Sequence, residues 1–409
     1  MALKVQKYGG TSVADISCIK NVAERVVKAY DKGDSVVVVL SAMAGVTNNL
    51  IALANSASKS PDKHELDVLL ATGEQTTAAL LAMILKSMGY SAKSLLGFQA
   101  GILTDMTPGK ARILDIQSNR IKELISHGYI VVVAGFQGRD INGDITTLGR
   151  GGSDTSAVAI ASAINADICE IYTDVDGVYT TDPRICDKAR KIDIISYDEM
   201  LEMAILGAKV LQIRSVEFAK KYNVPVHVRS SFSEEEGTMV VNESSDMESV
   251  VVSGITCDKN EARITFKKVP DQPGISAKIF SPLADEEIMV DMIIQNTRSG
   301  GETDLTFTVT NDDFEKAKEI SEKVADEVGA EEILIARDIA KVSVIGLGMK
   351  SHSGVAATMF SALASENINI RLISTSEIRI SCIIQAKYAE LAVRALHSAF
   401  GLDKDQESA

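Results

Sequence analysis

This chain has no CxxC pair, no apolar run near bilayer length, no excess of positive charge and no histidine inside any of its conspicuous motifs. Its five cysteines, Cys18, Cys169, Cys186, Cys257 and Cys382, are widely separated. That spacing indicates neither a zinc site nor a disulfide framework, and we expect reduced, mostly buried thiols. Apolar runs such as Val36 to Leu40 and Ile130 to Ala134 fall far short of the roughly 20 residues that span a bilayer, and have the length of buried parallel strands. Net charge is −14, with 56 acidic against 42 basic residues scattered along the chain. No phosphate-neutralising stripe exists, so neither a nucleic acid nor an anionic membrane is expected as a partner, and an anionic ligand must meet local cations. The N-terminus begins in strand-like alternation without the apolar segment of a signal peptide, so export is not expected and the chain reads as soluble and cytoplasmic. His64, His127, His227, His352 and His397 read as surface or structural residues.

At 409 residues, 45% of them hydrophobic, the chain is too long for one ordinary core, and two or three domains are expected. Up to about Ser230, β-branched apolar runs alternate with helical stretches. The strands are Lys4 to Tyr8, Ser35 to Leu40, Ile130 to Ala134, Cys169 to Thr173 and Val224 to Val228; helices are expected over Ile19 to Lys32, Thr76 to Met88, Ala111 to His127 and Ser153 to Asn165. This order predicts an α/β fold, a mainly parallel sheet with helices on both faces and binding loops at the carboxyl ends of its strands. The polar, acidic stretch Ser231 to Ser249 makes a boundary around one short apolar strand. Beyond it, Gly274 to Ile293 matches Gly354 to Ile373 without a gap, with nine of twenty positions identical, where chance would give about one. Each copy, Ile264 to about Arg337 and Val344 to about Phe400, reads as a ferredoxin-like βαββαβ unit. We therefore divide the chain into 1–249, a catalytic domain with its linker, and two smaller domains, 250–340 and 341–409.

Strand one runs into Lys7-Tyr8-Gly9-Gly10-Thr11-Ser12-Val13, where glycines let backbone N–H groups approach a phosphate closely. The string is neither GxxxxGK[ST] nor GxGxxG, and on spacing alone a bare Gly-Gly turn is as well a plain turn. Ser41-Ala42-Met43-Ala44-Gly45-Val46-Thr47 follows strand two, Ala71-Thr72-Gly73-Glu74-Gln75 is read as opening a helix, and Gly135-Phe136-Gln137-Gly138 follows the strand at Ile130. Then come Thr147-Leu148-Gly149-Arg150-Gly151-Gly152-Ser153-Asp154, the segment Thr173-Asp174 through Asp182-Pro183-Arg184, and Gly207-Ala208-Lys209-Val210-Leu211.

The string KYGGTSV, in company with these motifs, resembles the opening signature of aspartate kinases in the amino-acid kinase family. The loop Asp271-Gln272-Pro273-Gly274 ahead of a helix, in tandem copies behind an α/β enzyme, resembles a pair of ACT domains. The resemblance covers nearly the whole chain. It implies transfer of the γ-phosphoryl group of ATP to the side-chain carboxylate of L-aspartate, with Mg2+ bridging the ATP phosphates. A carboxylate nucleophile, with a reference pKa near 3.9, is already ionised and needs no general base. Catalysis then rests on positioning two anions in line and neutralising the charge between them. Lys7 is the cation expected on the transferred group, and Asp154 the partner that organises this lysine; read alone, Asp154 is also a plain helix-terminus carboxylate. Arg150 suits the α-carboxylate bidentately and Glu74 the α-ammonium, unless Glu74 is merely a first-turn glutamate facing the helix dipole. Ser41, Thr47 and Ser153 offer hydroxyls to the substrate carboxylates, and Gly9 and Gly10 cradle phosphate. The resemblance assigns Thr173, Asp174 and Tyr179 to adenosine, and Arg184 and Lys209, with the adjoining Val210, to further nucleotide contacts. No protein ligand of magnesium is assigned.

In ACT domains amino-acid effectors bind where strand meets helix. Here that points to Asp271, Pro273 and Gly274, with Gln295 on the first copy and Asn369 and Ser376 on the second, across an interface that pairs chains into a homodimer or larger assembly. Lysine, threonine or both are the expected effectors. Two other readings remain at this level: another kinase of the same family, whose N-acetylated substrate would leave Glu74 without an ammonium, and an inactive amino-acid sensor.

Overall fold

The structure, a computed structural model, describes residues 1–208, 210–243, 250–297 and 300–404. It divides into two compact units, Met1–Tyr179 with Lys191–Met247, and Thr180–Arg190 with Glu248–Ala409.

The first unit is built on an eight-stranded sheet. In chain order its strands are β1 (Leu3–Tyr8), β2 (Ser35–Leu40), β3 (Ala92–Leu95), β4 (Ile130–Ala134), β5 (Ile168–Thr173), β6 (Ile194–Ser196), β7 (Val226–Ser230) and β8 (Thr238–Val241), and across the sheet they run β6-β8-β7-β5-β1-β2-β4-β3. Every pairing is parallel except β7 with β8. The central strands are apolar on both faces because both faces are covered. Val36, Val38 and Leu40 pack with Ile19, Val22 and Val26 of α1 (Ile16–Asp31). Leu81 and Leu85 join the same core from a helix that starts at Lys63 and ends at Ser87. With α2 (Val46–Ala57) intervening, this last helix is α3. The opposite face is covered by α5 (Gly152–Ile164), which follows α4 (Asn119–Ser126) and packs on β1, β2 and β5. Helix α5 is buried nearly all round, as a helix sandwiched between a sheet and further helices should be. The helix packed on it there is α7 (Ile213–Tyr222), which itself packs on α6 (Tyr197–Ile205). A small four-stranded sheet, Ile102–Thr104, Ile113–Ile116, Gln137–Arg139 and Ile145–Thr147, flanks the main one.

Two expectations change here. The helix expected over Ala111 to His127 is a strand, Ile113–Ile116, followed by the short α4, because Ile113 and its neighbours complete the flanking sheet against Ile102–Thr104. Helix α3 begins at Lys63, not near Ala71, and is capped by the Asp62 carboxylate, which accepts from the N–H groups of His64 (2.9 Å) and Glu65 (3.1 Å). Glu74 therefore lies in mid-helix, away from any first-turn dipole. Among the described residues α3 is the one helix long and apolar enough to cross a membrane, and half of that stretch is buried in this unit.

The second unit holds one six-stranded antiparallel sheet from β9 (Gly254–Pro270), β10 (Val290–Thr297), β11 (Glu302–Thr310), β12 (Glu332–Ile345), β13 (Leu372–Thr375) and β14 (Arg379–Gln385), in the order β10-β11-β9-β12-β14-β13. Helices α8 (Ile275–Asp285) and α9 (Phe314–Val328) cover one half, α10 (Val355–Ser365) and α11 (Ala389–Ala399) the other. The repeat is visible in detail. Ile279, Leu283 and Ile288 fill the first core as Met359, Leu363 and Ile368 fill the second. Gly274 and Gly354 precede their helices with φ of +94° and +100°. The second copy ends at α11 without a sixth element of its own. Its fourth strand is the start of β9, since Gly254 to Asp258 pair with Ile345 to Lys341. The sheet also curls on itself: the buried Lys341 of β12 reaches Glu261 of β9 at 2.5 Å and Asp291 of the edge strand β10.

Segment 180–190 is held within this unit. Thr180 Oγ1 lies 2.9 Å from the buried His397 Nε2, Ile255 donates to the Thr180 carbonyl, and Arg190 Nε donates to Leu402 O at 2.7 Å. All five cysteines are free thiols.

Candidate active site

The carboxyl ends of β1 and β2 and the N-terminus of α5 converge on a cavity of about 880 Å3 in the first unit. Its walls include Lys7, Gly10, Ser41, Thr47, Glu74, Arg150, Ser153 and Asp154, eight residues singled out in the sequence and drawn from segments up to 147 positions apart.

Lys7 is the penultimate residue of β1, and its Nζ lies 2.5 Å from Asp154 Oδ1 in the first turn of α5, both side chains being 10% exposed. A nearly buried ammonium is thereby held beside the Gly9-Gly10 turn, where a Cβ added to Gly9 would stand 3.6 Å from Lys7 Nζ. Gly10 starts a 3-10 turn packed on the Ser41–Ala44 loop, where an added Cβ would stand 3.0 Å from the Ala42 carbonyl. The Ala44 N–H closes the same contact on the Gly10 carbonyl. Beneath the pair, burial pushes the Cys169 thiol far above its ordinary range, with the Asp154 charge adding to it; it is no nucleophile.

Glu74 faces the same loop from α3. Gly73 lets the helix close on Ala42, whose Cβ would lie 2.8 Å from a Gly73 side chain. Glu74 Oε1 then accepts the Ala42 N–H at 3.0 Å, while Oε2 is buried with no partner among the described residues. Burial pushes the Glu74 carboxyl up to about 7, against the hydrogen bond from Ala42. A buried carboxylate oxygen without a partner is costly unless a ligand supplies the donor. Arg150, across the cavity, is exposed and engages no described side chain. The cavity wall thus sets the cations Lys7, Lys63, Lys110 and Arg150 against the carboxyl groups of Asp67, Glu74 and Asp154, with Lys7 already oriented by Asp154.

Of the residues assigned to the nucleotide, Lys7 and Gly10 lie in this wall, while Gly9, Thr173, Asp174, Tyr179, Arg184 and Val210 do not. Thr173 ends β5 and bonds Asp174 at 3.1 Å; the Tyr179 hydroxyl bonds Asp176 at 2.9 Å, and burial with this bond pushes its pKa up to about 12. Val210 lies in the turn before α7, two residues from Gln212, which does line the cavity. Lys209 lies outside the described residues. Arg184 sits on segment 180–190 of the second unit, paired with Asp182 at 2.8 Å. In that unit Asp271, Pro273, Gly274, Gln295, Asn369 and Ser376 are all exposed. Gln295 lies on the edge strand β10, and Asn369 and Ser376 flank β13 at the other edge. Sequence reasoning missed Asp67, Gln212 and Arg214, the first two of which line the cavity. Asp67 precedes Glu74 by two helical turns, and that shared face of α3 was the available signal.

The amino acid kinase family model matches residues 2–230, and the ACT domain model matches 267–323 and 342–400. Over 404 residues the chain is 55% identical to an aspartate kinase of Pseudomonas putida, covering 98% of both chains. The aspartokinase of Helicobacter pylori is 53% identical over 406 residues, 98% of this chain and 100% of the relative. Among solved structures, E. coli aspartokinase III in complex with aspartate and ADP (R-state) superposes with a TM-score of 0.80 at 28% identity, covering 97% of this chain and 99% of that one. The same enzyme in complex with lysine and aspartate (T-state) gives 0.78, again at 28% identity, over 98% and 99%.

Proposed function

Because the chain belongs to the aspartate kinases of the amino-acid kinase family, we propose that the cavity bounded by Lys7, Glu74, Arg150 and Asp154 is where free L-aspartate meets ATP. The reaction moves the γ-phosphoryl group of ATP to the β-carboxylate: an oxygen–phosphorus bond forms at that carboxylate as the bond to the departing ADP oxygen breaks. Both reactants are anions, so the work of the protein is alignment and charge neutralisation. Lys7, oriented by Asp154, neutralises the transferred group, and Arg150 holds the α-carboxylate.

The observation that carries this reading is the partnerless Oε2 of Glu74 in the wall that also holds Arg150. An α-ammonium brings it both donors and a counter-charge, whereas an N-acylated amino acid offers a single neutral N–H and no charge. Ser41, Thr47 and Ser153 serve the substrate carboxylates, Gly9 and Gly10 the phosphates, and Thr173, Asp174, Tyr179, Arg184, Lys209 and Val210 the rest of the nucleotide. ATP brings Mg2+, held by phosphate oxygens and water. Incubation with ATP, Mg2+ and an amino-acid panel, with hydroxylamine to trap acyl phosphate, tests the assignment. L-Aspartate alone should give hydroxamate, N-acetylaspartate none, and Arg150→Ala should raise the aspartate KM while sparing that of ATP. Equal turnover of the acetylated compound would refute it.

The tandem ACT domains imply allosteric regulation. We assign it to lysine, threonine or both, bound near Asp271, Pro273 and Gly274 with Gln295, Asn369 and Ser376, where two chains pair as a homodimer or larger assembly. We place the enzyme in the cytoplasm and divide it into 1–249 (catalysis), 250–340 (first ACT) and 341–409 (second ACT, closed by the strand at 254–258).

A further inference from the structure

Arg150 is the exposed tip of a loop, and nothing about its own side chain explains how it would be held at a fixed distance from Glu74. The backbone on either side of it explains this. Asp67, 2% exposed on α3, accepts the N–H of Thr147 (2.8 Å) and the N–H of Gly109 (3.0 Å) on Oδ2, and the Thr147 hydroxyl (2.7 Å) on Oδ1. One buried carboxylate thus fastens the loop that leads to Arg150 and the neighbouring loop at 105–111. From the far side, the Arg214 guanidinium donates to the Leu148 carbonyl at 2.5 Å and to the Ala111 carbonyl at 2.9 Å, again one hydrogen bond to each loop. The loops also bond each other through the Ala111 N–H and Thr147 O. They meet so closely at Gly149, with φ of +75°, that a Cβ there would stand 2.9 Å from the Gly109 carbonyl. On the other flank of Arg150, the Gln212 side chain fills the place of the Cβ that Gly151 lacks.

We propose that Asp67 and Arg214 are positioning residues that set the span between Glu74 and Arg150, and so fit the site to a free α-amino acid. Asp67 and Glu74 share a face of one rigid helix, seven residues apart, and both line the cavity. The anchor of the Arg150 loop and the partner of the ammonium are therefore parts of one element. Charged hydrogen bonds to backbone, made from both sides, hold the loop without contact with substrate. A misplacement of about 1 Å at such a site can cost about 100-fold.

This rests on the reading of Arg150 and Glu74 given above, and the test separates the two. Steady-state kinetics on the full-length enzyme would compare Asp67→Ala, Asp67→Asn, Arg214→Ala and Arg214→Lys, alone and in an Arg150→Ala background. Asp67→Ala, Arg214→Ala and Arg214→Lys should raise the aspartate KM at least about 10-fold with the ATP KM within about twofold. Asp67→Asn should recover most of this, because its amide oxygen can still accept both N–H groups. With Arg150 already removed, Asp67→Ala should add little, since the loop then carries nothing to position. A normal aspartate KM in the Asp67 and Arg214 variants, with Arg150→Ala impaired, overturns this inference alone. An undiminished effect in the Arg150→Ala background makes Asp67 merely structural and also overturns it. A normal KM in Arg150→Ala itself removes the underlying reading. Should Asp67→Ala fail to fold, Arg214→Lys decides by the same criterion.

Discussion

Glu74→Gln separates the stability of this enzyme from its affinity for substrate. The Glu74 carboxyl is pushed from 4.5 up to about 7 by burial, so its ionised form is held in the empty cavity at a cost of about 3 kcal/mol, taking 1.36 kcal/mol per tenfold change in acidity. The sign follows from linkage: a carboxyl whose folded pKa lies above its unfolded value favours the folded state most below pH 4.5, and that contribution is lost as pH rises through about 7. Glutamine keeps the Ala42 N–H on its amide oxygen and carries no charge. At pH 8 the empty variant should therefore melt above the wild type, by as much as about 3 kcal/mol in stability. Aspartate binding should move the other way. The ammonium loses its counter-charge, at about 2 to 5 kcal/mol, so the aspartate KM rises at least about 30-fold. In the wild type that KM should also climb as pH falls below about 7, and in the variant it should not. Differential scanning fluorimetry from pH 5 to 9 and hydroxamate kinetics on the same samples read both quantities. A wild-type aspartate KM level between pH 8 and pH 6, with the variant binding as well as the parent, would refute the role of Glu74.

Lys7→Ala should lower kcat at least about 100-fold with small changes in either KM, because its cation acts on charge that develops in the transition state; near-normal single-turnover rates would remove it from the mechanism. Lys341→Ala leaves the buried Glu261 and the exposed Asp291 without their cation and should destabilise the second unit by about 3 to 5 kcal/mol, seen as a lowered urea midpoint and contradicted by an unchanged one. Gln295→Ala and Ser376→Ala should relieve inhibition by lysine, threonine or their mixture without lowering uninhibited kcat; an enzyme indifferent to millimolar amounts of both, with no binding heat, would leave the ACT pair to another metabolite.

Much of the catalytic unit could be read directly because its strands are buried on both faces. Runs such as Ser35 to Leu40 and Ile130 to Ala134 match the observed strands. Lys7, Gly10, Ser41 and Thr47 came from motifs at the ends of β1 and β2, where a parallel sheet places its loops, while Arg150, Ser153 and Asp154 follow a strand of the flanking sheet and Glu74 lies in mid-α3. The start of α3 was illegible for a different reason: Lys63 to Glu65 carry no apolar periodicity, and the signal was the Asp62 cap. Asp67 offered only its shared helical face with Glu74 as a signal, because its partners, two backbone N–H groups and the Thr147 hydroxyl, lie 42 and 80 positions away. Ile113 to Ile116 misled because a four-residue strand followed by a helix has apolar spacing that also fits one longer helix. His397, read as a surface or structural residue, has its ring buried against Thr180 in the second unit.

The closing strand of the second ACT copy is the feature that sequence comparison of the two repeats hides, since it lies upstream of the first copy. Residues 254–258 are an edge strand on β12, with Thr256 opposite Ser343. Ile255 sends its N–H outward, to the Thr180 carbonyl at 2.7 Å, so by strand alternation the Thr256 N–H faces β12. Thr256→Pro removes that donor and orphans a buried carbonyl on β12, at about 1 to 3 kcal/mol. The loss should appear in the second copy although the substitution precedes the first. Amide exchange should accelerate across Lys341 to Ile345, the strand facing residue 256, while Leu305 to Val309, paired within the first copy, keep their protection. Were the strand an ornament of the linker, exchange in Lys341 to Ile345 would stay as slow as in the parent, and the second copy would have to be stable with three strands of its own.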